Sequence, residues 1–338
     1  MTTDKKGKKP SDSTASPRLR KLIRSIDALH KRFGRRSADG RREIGFSTAA
    51  QRRKELRTMA RILHKRGFEL TDIANLKQKH IRALFIHWEG KGTSAATLQK
   101  YASLLALLER WIEKHGMMGD PRQYLENAAC FERDYVAKND KTPSGNGIDL
   151  EALFAAVTAI SPRVAMHLHL QASFGLRVKE SMLLQPYLSD RGSTLEVYRG
   201  TKGRRYRPLP IDTEYQREVL DHAKTFASSR SSTLVPADYS LYQWTNYFRR
   251  VVRGVGLTRK AKGVTPHGFR HDYLSGQYLD LTGCLCPVKG GVTGELTAEE
   301  DRAARMVVAE RAGHSRTQIA SAYLGPVLQF LKDKTTKH

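Results

Sequence analysis

The sequence predicts a mainly α-helical protein with one small β-hairpin, an α+β fold. Apolar residues recur at helical spacing over most of the chain after residue 46. One such stripe consists of Leu56, Met59, Ala60 and Leu63. Two short segments typical of strands, 195–198 and 206–211, flank a Gly-rich turn and predict the hairpin. A cluster of Pro, Gly, Ser and Asn at 139–147 predicts a linker between two helical domains.

The charge of the chain points to a polyanionic partner. Among 338 residues, 59 Lys and Arg oppose 34 Asp and Glu, which gives a formal net charge of +25. A field of that size attracts nucleic acid or anionic membrane. Charge alone also fits a ribosome-associated or merely basic protein. The length allows two domains with cores of their own.

The sequence argues against a membrane protein, a secreted protein and a metal-binding protein. Apolar runs stay short of the roughly 18–20 residues of a membrane span, and no apolar segment follows the lysine-rich start. The three cysteines, Cys130, Cys284 and Cys286, are too few for a disulfide framework and favour a reducing cytoplasm. The pair Cys284-x-Cys286 has no second ligand pair at zinc-like spacing. We therefore expect no metal and no cofactor.

The first part of the chain divides by composition. Residues 1–43 are rich in Lys, Arg, Ser and Gly, and we predict a basic, disordered arm. Within it, apolar residues from Leu19 to Leu29 have helical spacing, so a short helix is expected to follow. The arm is either an auxiliary DNA contact or a solvated tail. Residues 44–138 predict a bundle of helices with a basic face.

After the linker, residues 148–331 predict a second domain, and 332–338 a basic tail. This domain carries the motifs that bear chemistry. They are Gly175-Leu176-Arg177-Val178-Lys179-Glu180, the hairpin turn around Lys202, Pro266-His267-Gly268-Phe269-Arg270-His271, and the segment from Gly313-His314 to Tyr323. Guanidinium groups hold phosphate through bidentate hydrogen bonds, and tyrosine can act as a covalent nucleophile. The set predicts phosphoryl transfer on nucleic acid.

The order Arg177, Lys202, His267-x-x-Arg270, His314, Tyr323 resembles the tyrosine recombinases, or phage integrases. The resemblance covers 148–331, and a looser likeness in layout reaches back to about residue 45. It implies a core-binding domain at 44–138 that closes over one side of the duplex, and a catalytic domain at 148–331.

The resemblance also implies roles for the residues. Arg177 and Arg270 would clamp the scissile phosphate, and Lys202 would protonate the leaving 5′-oxygen. His267 and His314 would take part in proton transfer and hydrogen bonding. Tyr323 would attack and form a 3′-phosphotyrosyl linkage, which stores the bond energy for rejoining without ATP or metal.

Other interpretations remain open at several positions. Arg204, Arg205 and Lys179 compete with Lys202 for the role of general acid. Glu180 either orients Arg177 or forms a plain helix pair with it. His271 either supports the site or is a packed histidine. The stretch 275–300 contains an insertion, Leu281–Leu296, that we expect to be a surface loop with a partner contact or regulatory role.

The function predicted by the resemblance is site-specific recombination, for integration or excision of a prophage or other mobile element. The expected partners are double-stranded DNA with specific recombination sites, three further copies of the chain in a tetramer on DNA, and accessory DNA-bending proteins. We expect a cytoplasmic, nucleoid-associated protein and no membrane contact. The alternatives are a type IB topoisomerase-like relaxing enzyme and a DNA-binding protein of the same fold without catalysis. An RNA-binding protein lacks support from any RNP-like aromatic motif.

Overall fold

The computed structural model describes residues 15–291, 296–314 and 316–327. The chain divides into two compact units, Met1–Asp134 (unit 1) and Tyr135–His338 (unit 2). Both are built mainly of helices, and within the described residues a two-stranded antiparallel sheet in unit 2 is the only sheet. The predicted fold class is confirmed. None of the described helices is both long enough and apolar enough to cross a bilayer.

From residue 15 onwards, where the structure describes it, unit 1 consists of four helices and short 3-10 turns. The helices are α1 (Pro17–Phe33), α2 (Phe46–Lys65), α3 (Gln78–Glu89) and α4 (Ala95–Trp111). Their apolar stripes form one core, in which Phe85 and Trp88 pack edge to face with ring centroids 5.2 Å apart. The helical bundle expected for this part of the chain is present.

Helix α1 corrects the predicted disordered arm. The Ser16 hydroxyl caps the helix by accepting from the backbone N–H of Leu19. Leu19, Leu22, Ile23 and Ile26 are buried in the core of unit 1. The helix is ordered because this stripe removes enough apolar surface from water to offset the entropy of ordering. The short helix expected from the spacing of Leu19 to Leu29 is therefore present, whereas the prediction of a disordered arm through residue 43 is wrong for α1. Residues 1–14 lie outside the described part of the chain.

Unit 2 holds the remaining elements. Its helices are α5 (Leu150–Ile160), α6 (Pro162–Phe174), α7 (Val178–Leu183), α8 (Pro186–Ser189), α9 (Glu214–Thr225), α10 (Leu241–Gly254), α11 (Arg259–Lys262), α12 (His267–Thr282), α13 (Ala298–Arg311) and α14 (Ser321–Leu324). Its strands are β1 (Thr194–Val197) and β2 (Arg207–Pro210), paired with Leu195 opposite Leu209. Helix α12 packs against α6, α13 and α14, so it lies at the centre of the unit.

The predicted linker 139–147 packs on unit 2 instead of separating two domains. Thr142 is buried, and its backbone N–H donates to Asp140. Ser144 donates to the carboxylate of Asp272 on α12 at 2.7 Å. Hydrogen bonds of this kind stabilise the turns of a Pro- and Gly-rich segment and hold it against the helix. The boundary between the units lies earlier, after Asp134.

The described part of the loop after α12 lies mainly at the surface, as predicted, but it is anchored to unit 2 at two points. Cys286 is buried in the same cluster as Tyr323 and Leu324. Lys289 binds the Asp272 carboxylate at 2.8 Å, which fastens the loop to α12. Residues 292–295 lie outside the described part of the chain.

Candidate active site

Arg177 occupies the N-cap of α7, where the sequence fixes its backbone. Gly175 ends α6 in the left-handed conformation (φ 58°), and a Cβ there would collide with the ring of Tyr273. The carboxylate of Glu180 accepts a hydrogen bond from the backbone N–H of Arg177 at 2.8 Å. This bond closes the first turn of α7, so the guanidinium of Arg177 extends from a defined point.

Glu180 is fully buried and binds two arginines. Its Oε1 accepts from Arg177 Nη1 at 2.5 Å, and its Oε2 accepts from Arg207 Nη2 at 2.9 Å. Arg270 Nη1 lies 4.0 Å from Oε2. Burial raises the pKa of this carboxyl, but the charges of Arg207, Arg177 and Arg270 and the backbone N–H of Arg177 outweigh it and lower the pKa to about 2. The carboxylate is therefore ionised at neutral pH.

Arg270 lies on the first turn of α12 and is completely buried. Its Nη1 donates to the carbonyl of Gly175, and its Nη2 donates to the carbonyl of Ala312. Its Nε lies 3.4 Å from the hydroxyl oxygen of Tyr323. Three segments distant in sequence thus converge on one guanidinium. Burial is the main cause that lowers the pKa of Arg270, a group that remains charged.

His314 follows the left-handed Gly313 (φ 67°), which turns the chain after α13. A Cβ on Gly313 would lie 3.0 Å from Arg207 Nη1, so the turn passes close to the arginine cluster. His314 Nε2 lies 3.4 Å from Arg177 Nη2. Burial and the nearby charges of Arg177, Arg270, Lys202 and Arg205 lower the pKa of His314 to about 4. The imidazole is neutral at pH 7 and can accept or donate a proton.

His267 and His271 lie one turn apart on α12, with ring centroids 5.1 Å apart. His267 is exposed at the surface, whereas His271 is buried. Although part of the His267 side chain is exposed, the surrounding protein removes much of the water from its ring. This loss of hydration and the positive charges of Arg270, Arg177 and Lys141 lower the pKa of His267 to about 4. Burial, the neighbouring His267 and nearby positive charges lower the pKa of His271 to about 3. Both rings are neutral at pH 7.

Tyr323 lies on the short helix α14, with only 7% of its surface exposed. Its ring centroid is 4.8 Å from that of His271, 6.3 Å from that of His267 and 6.4 Å from that of His314. Its hydroxyl faces Arg270. The structure thus brings together seven of the eight predicted residues: Arg177, Glu180, His267, Arg270, His271, His314 and Tyr323.

Lys202 is the predicted residue that stays apart. It begins the 3-10 turn Lys202–Arg204 between β1 and β2, and its side chain is exposed. Among the described residues it has no hydrogen-bond or ion-pair partner within contact distance. Its positive charge nevertheless contributes to the lowered pKa of His314.

The chain matches two family models that are both drawn from integrases. The model described as Integrase matches residues 138–275, and the model described as Phage integrase, N-terminal, matches residues 36–116. The chain belongs to the phage integrase family of tyrosine recombinases. The Integrase match contains Arg177, Lys202, His267 and Arg270, and it ends before His314 and Tyr323.

Solved integrases share the fold of this tyrosine recombinase. A λ integrase dimer bound to a COC′ core site is 15% identical with a TM-score of 0.57, over 92% of this chain and 80% of that one. The Tn1549 transposon integrase in complex with circular intermediate DNA is 15% identical with a TM-score of 0.52, over 89% and 95%. A λ integrase tetramer bound to a Holliday junction is 13% identical with a TM-score of 0.55, over 89% and 76%. No curated protein sequence matches significantly.

Sequence reasoning missed several groups of the integrase site. Arg207 was predicted only as part of a strand, although it is buried and binds Glu180. The carbonyl of Ala312 accepts from both Arg177 and Arg270. One signal was available for Arg207: it shares with Leu209 the inward face of β2, where a charged residue requires a partner. Backbone carbonyls leave no such signal in a sequence.

Proposed function

We propose that Tyr323 is the nucleophile of a site-specific recombinase that cuts and rejoins double-stranded DNA through a 3′-phosphotyrosyl intermediate. The observation that supports it most is the position of Tyr323. Its hydroxyl lies 3.4 Å from Arg270 Nε, and its ring centroid lies 4.8–6.4 Å from those of His267, His271 and His314. An attacking hydroxyl, a fixed cation and neutral imidazoles are the groups that phosphoryl transfer requires in one place.

The cleavage step exchanges one phosphoester bond for another. The Tyr323 oxygen forms a bond to the scissile phosphorus and gives its proton to a neutral imidazole, for which His267 is our candidate. Arg177 and Arg270 stabilise the charge on the non-bridging oxygens. The bond from phosphorus to the 5′-oxygen breaks, and Lys202 supplies the proton that makes the leaving group a 5′-hydroxyl. Rejoining reverses the same steps with a 5′-hydroxyl from another strand.

Glu180 and His271 act on neighbours in this proposal and do not touch the phosphate. Glu180 holds the backbone and guanidinium of Arg177. His271 packs against the Tyr323 ring, with its own ring buried. Packing on one face of the ring limits the rotation of the Tyr323 side chain and so keeps its hydroxyl near Arg270.

The assembly and the biological role form part of the same proposal. The net charge of +25 suits a DNA partner, and the λ integrase tetramer on a Holliday junction shows a four-copy assembly of this fold. We propose that four copies act on two duplexes with specific sites, at the boundaries of a prophage or other mobile element. Accessory DNA-bending proteins and a nucleoid location belong to this proposal.

The test needs a substrate, which the protein itself can select. A pool of random-sequence duplexes is bound, amplified and enriched, and the retained sequence is called the selected duplex. A version with a nick beside the cleavage position lets the short strand diffuse away after attack, so the covalent product accumulates. The full-length protein should form an SDS-resistant adduct, with EDTA present, because guanidinium groups take the place of a metal as the counter-charge.

Tyr323→Phe should abolish the adduct and leave binding of the selected duplex intact, because only one hydroxyl is removed. Tyr278→Phe is the matched control, since Tyr278 is buried in the same cluster and its hydroxyl binds Asp301 instead. Adduct formation by Tyr323→Phe at the full rate contradicts the assignment of the nucleophile. A requirement of the wild-type reaction for Mg²⁺ contradicts the proposed mechanism.

A further inference from the structure

Arg207 forms a buried ion pair with Glu180 that the capping of α7 does not require. Glu180 already accepts from the backbone N–H and from the guanidinium of Arg177. Arg207 adds a second guanidinium at 2.9 Å, from a side chain that is only 3% exposed. Arg207 lies at the start of β2, the second strand of the hairpin whose turn carries Lys202.

Stability gives a weak reason for this arrangement. Two charges taken out of water lose hydration that their attraction does not reliably return, so a buried ion pair is often no more stable than an apolar pair of equal size. The Arg207 Nε is buried, and among the described residues it has no hydrogen-bond partner. A pair that served only packing would be expected to satisfy that donor.

The charges of the cluster fit a phosphate better. Arg177, Arg207 and Arg270 surround the one carboxylate of Glu180, and three guanidinium charges with one carboxylate leave a net charge of +2. Phosphoryl transfer passes through a transition state in which about two negative charges are spread over the phosphoryl group and its two bridging oxygens. Without Arg207 the net charge would fall to +1, and Arg177 would be the nearest cation left to Glu180.

We propose that Arg207 is a positioning residue for strand cleavage, which neutralises Glu180 so that the guanidinium of Arg177 remains available to the scissile phosphate. Arg207 is too deeply buried to touch the phosphate, so it acts through Glu180. It also borders the turn before His314, because a Cβ on Gly313 would lie 3.0 Å from its Nη1 and 3.7 Å from Arg177 Nη1. This inference rests on the proposed function.

The experiment compares Arg207→Met with Arg207→Lys on the nicked selected duplex. Arg207→Met removes the charge and keeps the length of the side chain. The rate of adduct formation should fall by about tenfold or more, less than the roughly 10²–10³-fold that loss of a direct donor causes. Binding of the duplex should be unchanged. Arg207→Lys keeps the charge and should recover most of the rate.

A second substrate separates positioning from folding. A methylphosphonate at the scissile position replaces one charged oxygen by a methyl group, so the transition state needs one positive charge less. The defect of Arg207→Met should therefore be much smaller on the methylphosphonate than on the phosphate. If Arg207 has only a structural role, Arg207→Met should slow adduct formation by the same factor on both substrates, and that result would overturn the inference.

Two controls complete the design. Arg217→Met removes an arginine of the same unit whose partners are Asp190, at 2.6 Å, and Asp221 instead of Glu180, and this variant should cleave both substrates like the wild type. If Arg207→Met does not fold, the double variant Arg207→Met/Glu180→Gln replaces it. It keeps the net charge of +2, because the carboxylate is removed together with one guanidinium, so its rate relative to the wild type should be the same on the phosphate and on the methylphosphonate. A loss confined to the phosphate would contradict the inference. A wild-type-like rate of Arg207→Met, while the wild type forms its Tyr323 adduct, contradicts this inference alone. Absence of the wild-type adduct contradicts the proposed function.

Discussion

Arg177 and Arg270 donate hydrogen bonds to the same oxygen, the carbonyl of Ala312. Two guanidinium groups converge there because Glu180 lies within 4.0 Å of both and offsets their repulsion. Ala312 lies in the turn between α13 and His314. The hydrogen bonds that hold the two arginines therefore also fix the backbone that leads to His314. We propose that these two cations, held at a fixed separation, are a preorganised site for one phosphate.

The first prediction concerns Lys202, which is exposed and which we propose as the general acid. Lys202→Met should lower the rate of adduct formation by about 10²–10⁴-fold on an ordinary phosphodiester, because the 5′-oxygen leaves poorly without a proton. A sulfur atom in place of the bridging 5′-oxygen leaves as a thiolate and needs no proton. On that substrate the variant should cleave nearly as fast as the wild type.

Lys179→Met is the matched control for Lys202→Met. Lys179 is also exposed, and its backbone carbonyl lies beside Gly200 at the base of the hairpin. It should show no special rescue by the bridging sulfur. Equal losses of Lys202→Met on both substrates would assign the proton to another group.

The histidines of the site predict a loss of stability in mild acid. The folded-state pKa values of His267, His271 and His314 are lowered to about 4, 3 and 4, below the value of about 6.5 in an unfolded chain. Well above pH 6.5, from about pH 7.5, both states are neutral at these rings, and stability does not depend on pH through them. As the pH falls towards about 4, the unfolded state binds protons that the folded state refuses, so the free energy of unfolding decreases.

The measurement is the midpoint of thermal unfolding of the full chain as a function of pH. His271→Phe removes one of the titrating rings and should make the midpoint less dependent on pH between about 6.5 and about 4. His222→Gln changes an exposed histidine on α9 and serves as the control. A dependence on pH that is as steep in His271→Phe as in the wild type would contradict the assignment.

The ordered helix α1 changes what N-terminal truncation is expected to do. Deletion of residues 1–43 should unfold unit 1, because it removes the four core side chains of α1. Deletion of residues 1–14 removes four lysines and none of the described core. If these lysines bind DNA, the affinity for the selected duplex should fall, and the slope of log affinity against log salt should decrease by about 0.9 for each phosphate that is no longer neutralised.

Replacement of Lys5, Lys6, Lys8 and Lys9 by Gln is the control for that deletion, since it removes charge and keeps length. It should reproduce the change in salt slope. Unchanged binding by both proteins would assign residues 1–14 to a solvated tail.

The C-terminal segment predicts a separation of cleavage from strand exchange. Arg305 of α13 donates to the carbonyls of Gly325 and Pro326, so the chain is held in its own unit to that point. The segment 328–331, in which three of the four residues are apolar, lies outside the described part of the chain. We predict that it docks on a neighbouring copy. Truncation after Val327 should leave adduct formation on a single duplex intact and impair exchange between paired duplexes.

Truncation after Leu331 removes only the basic tail and is the control for the loss of the apolar segment. Exchange is measured as the appearance of hybrid strands from two selected duplexes of different length. Exchange at the full rate by the protein that ends at Val327 would show that docking in trans is wrong.

The sequence by itself determined the parts of this protein that local physics decides. Apolar periodicity placed the helices, and a Gly-rich turn between alternating segments placed the hairpin. The order of the motifs predicted the family and seven residues that the fold brings together. Periodicity also indicated α1, although the composition of this segment favoured disorder. The helix is ordered because the burial of four apolar side chains outweighs the effect of its basic surface.

Only the tertiary structure decided which charges meet. Arg207 and Arg270 lie far from Glu180 in sequence, and nothing local shows that the carboxylate that binds Arg177 also serves these two arginines. The shared carbonyl of Ala312 leaves no trace in residue type. Packing of the 139–147 segment on α12 was equally hidden, since turn-forming residues predict a bend and not what the bend contacts. Electrostatic energy depends on distance and burial, which the folded chain sets.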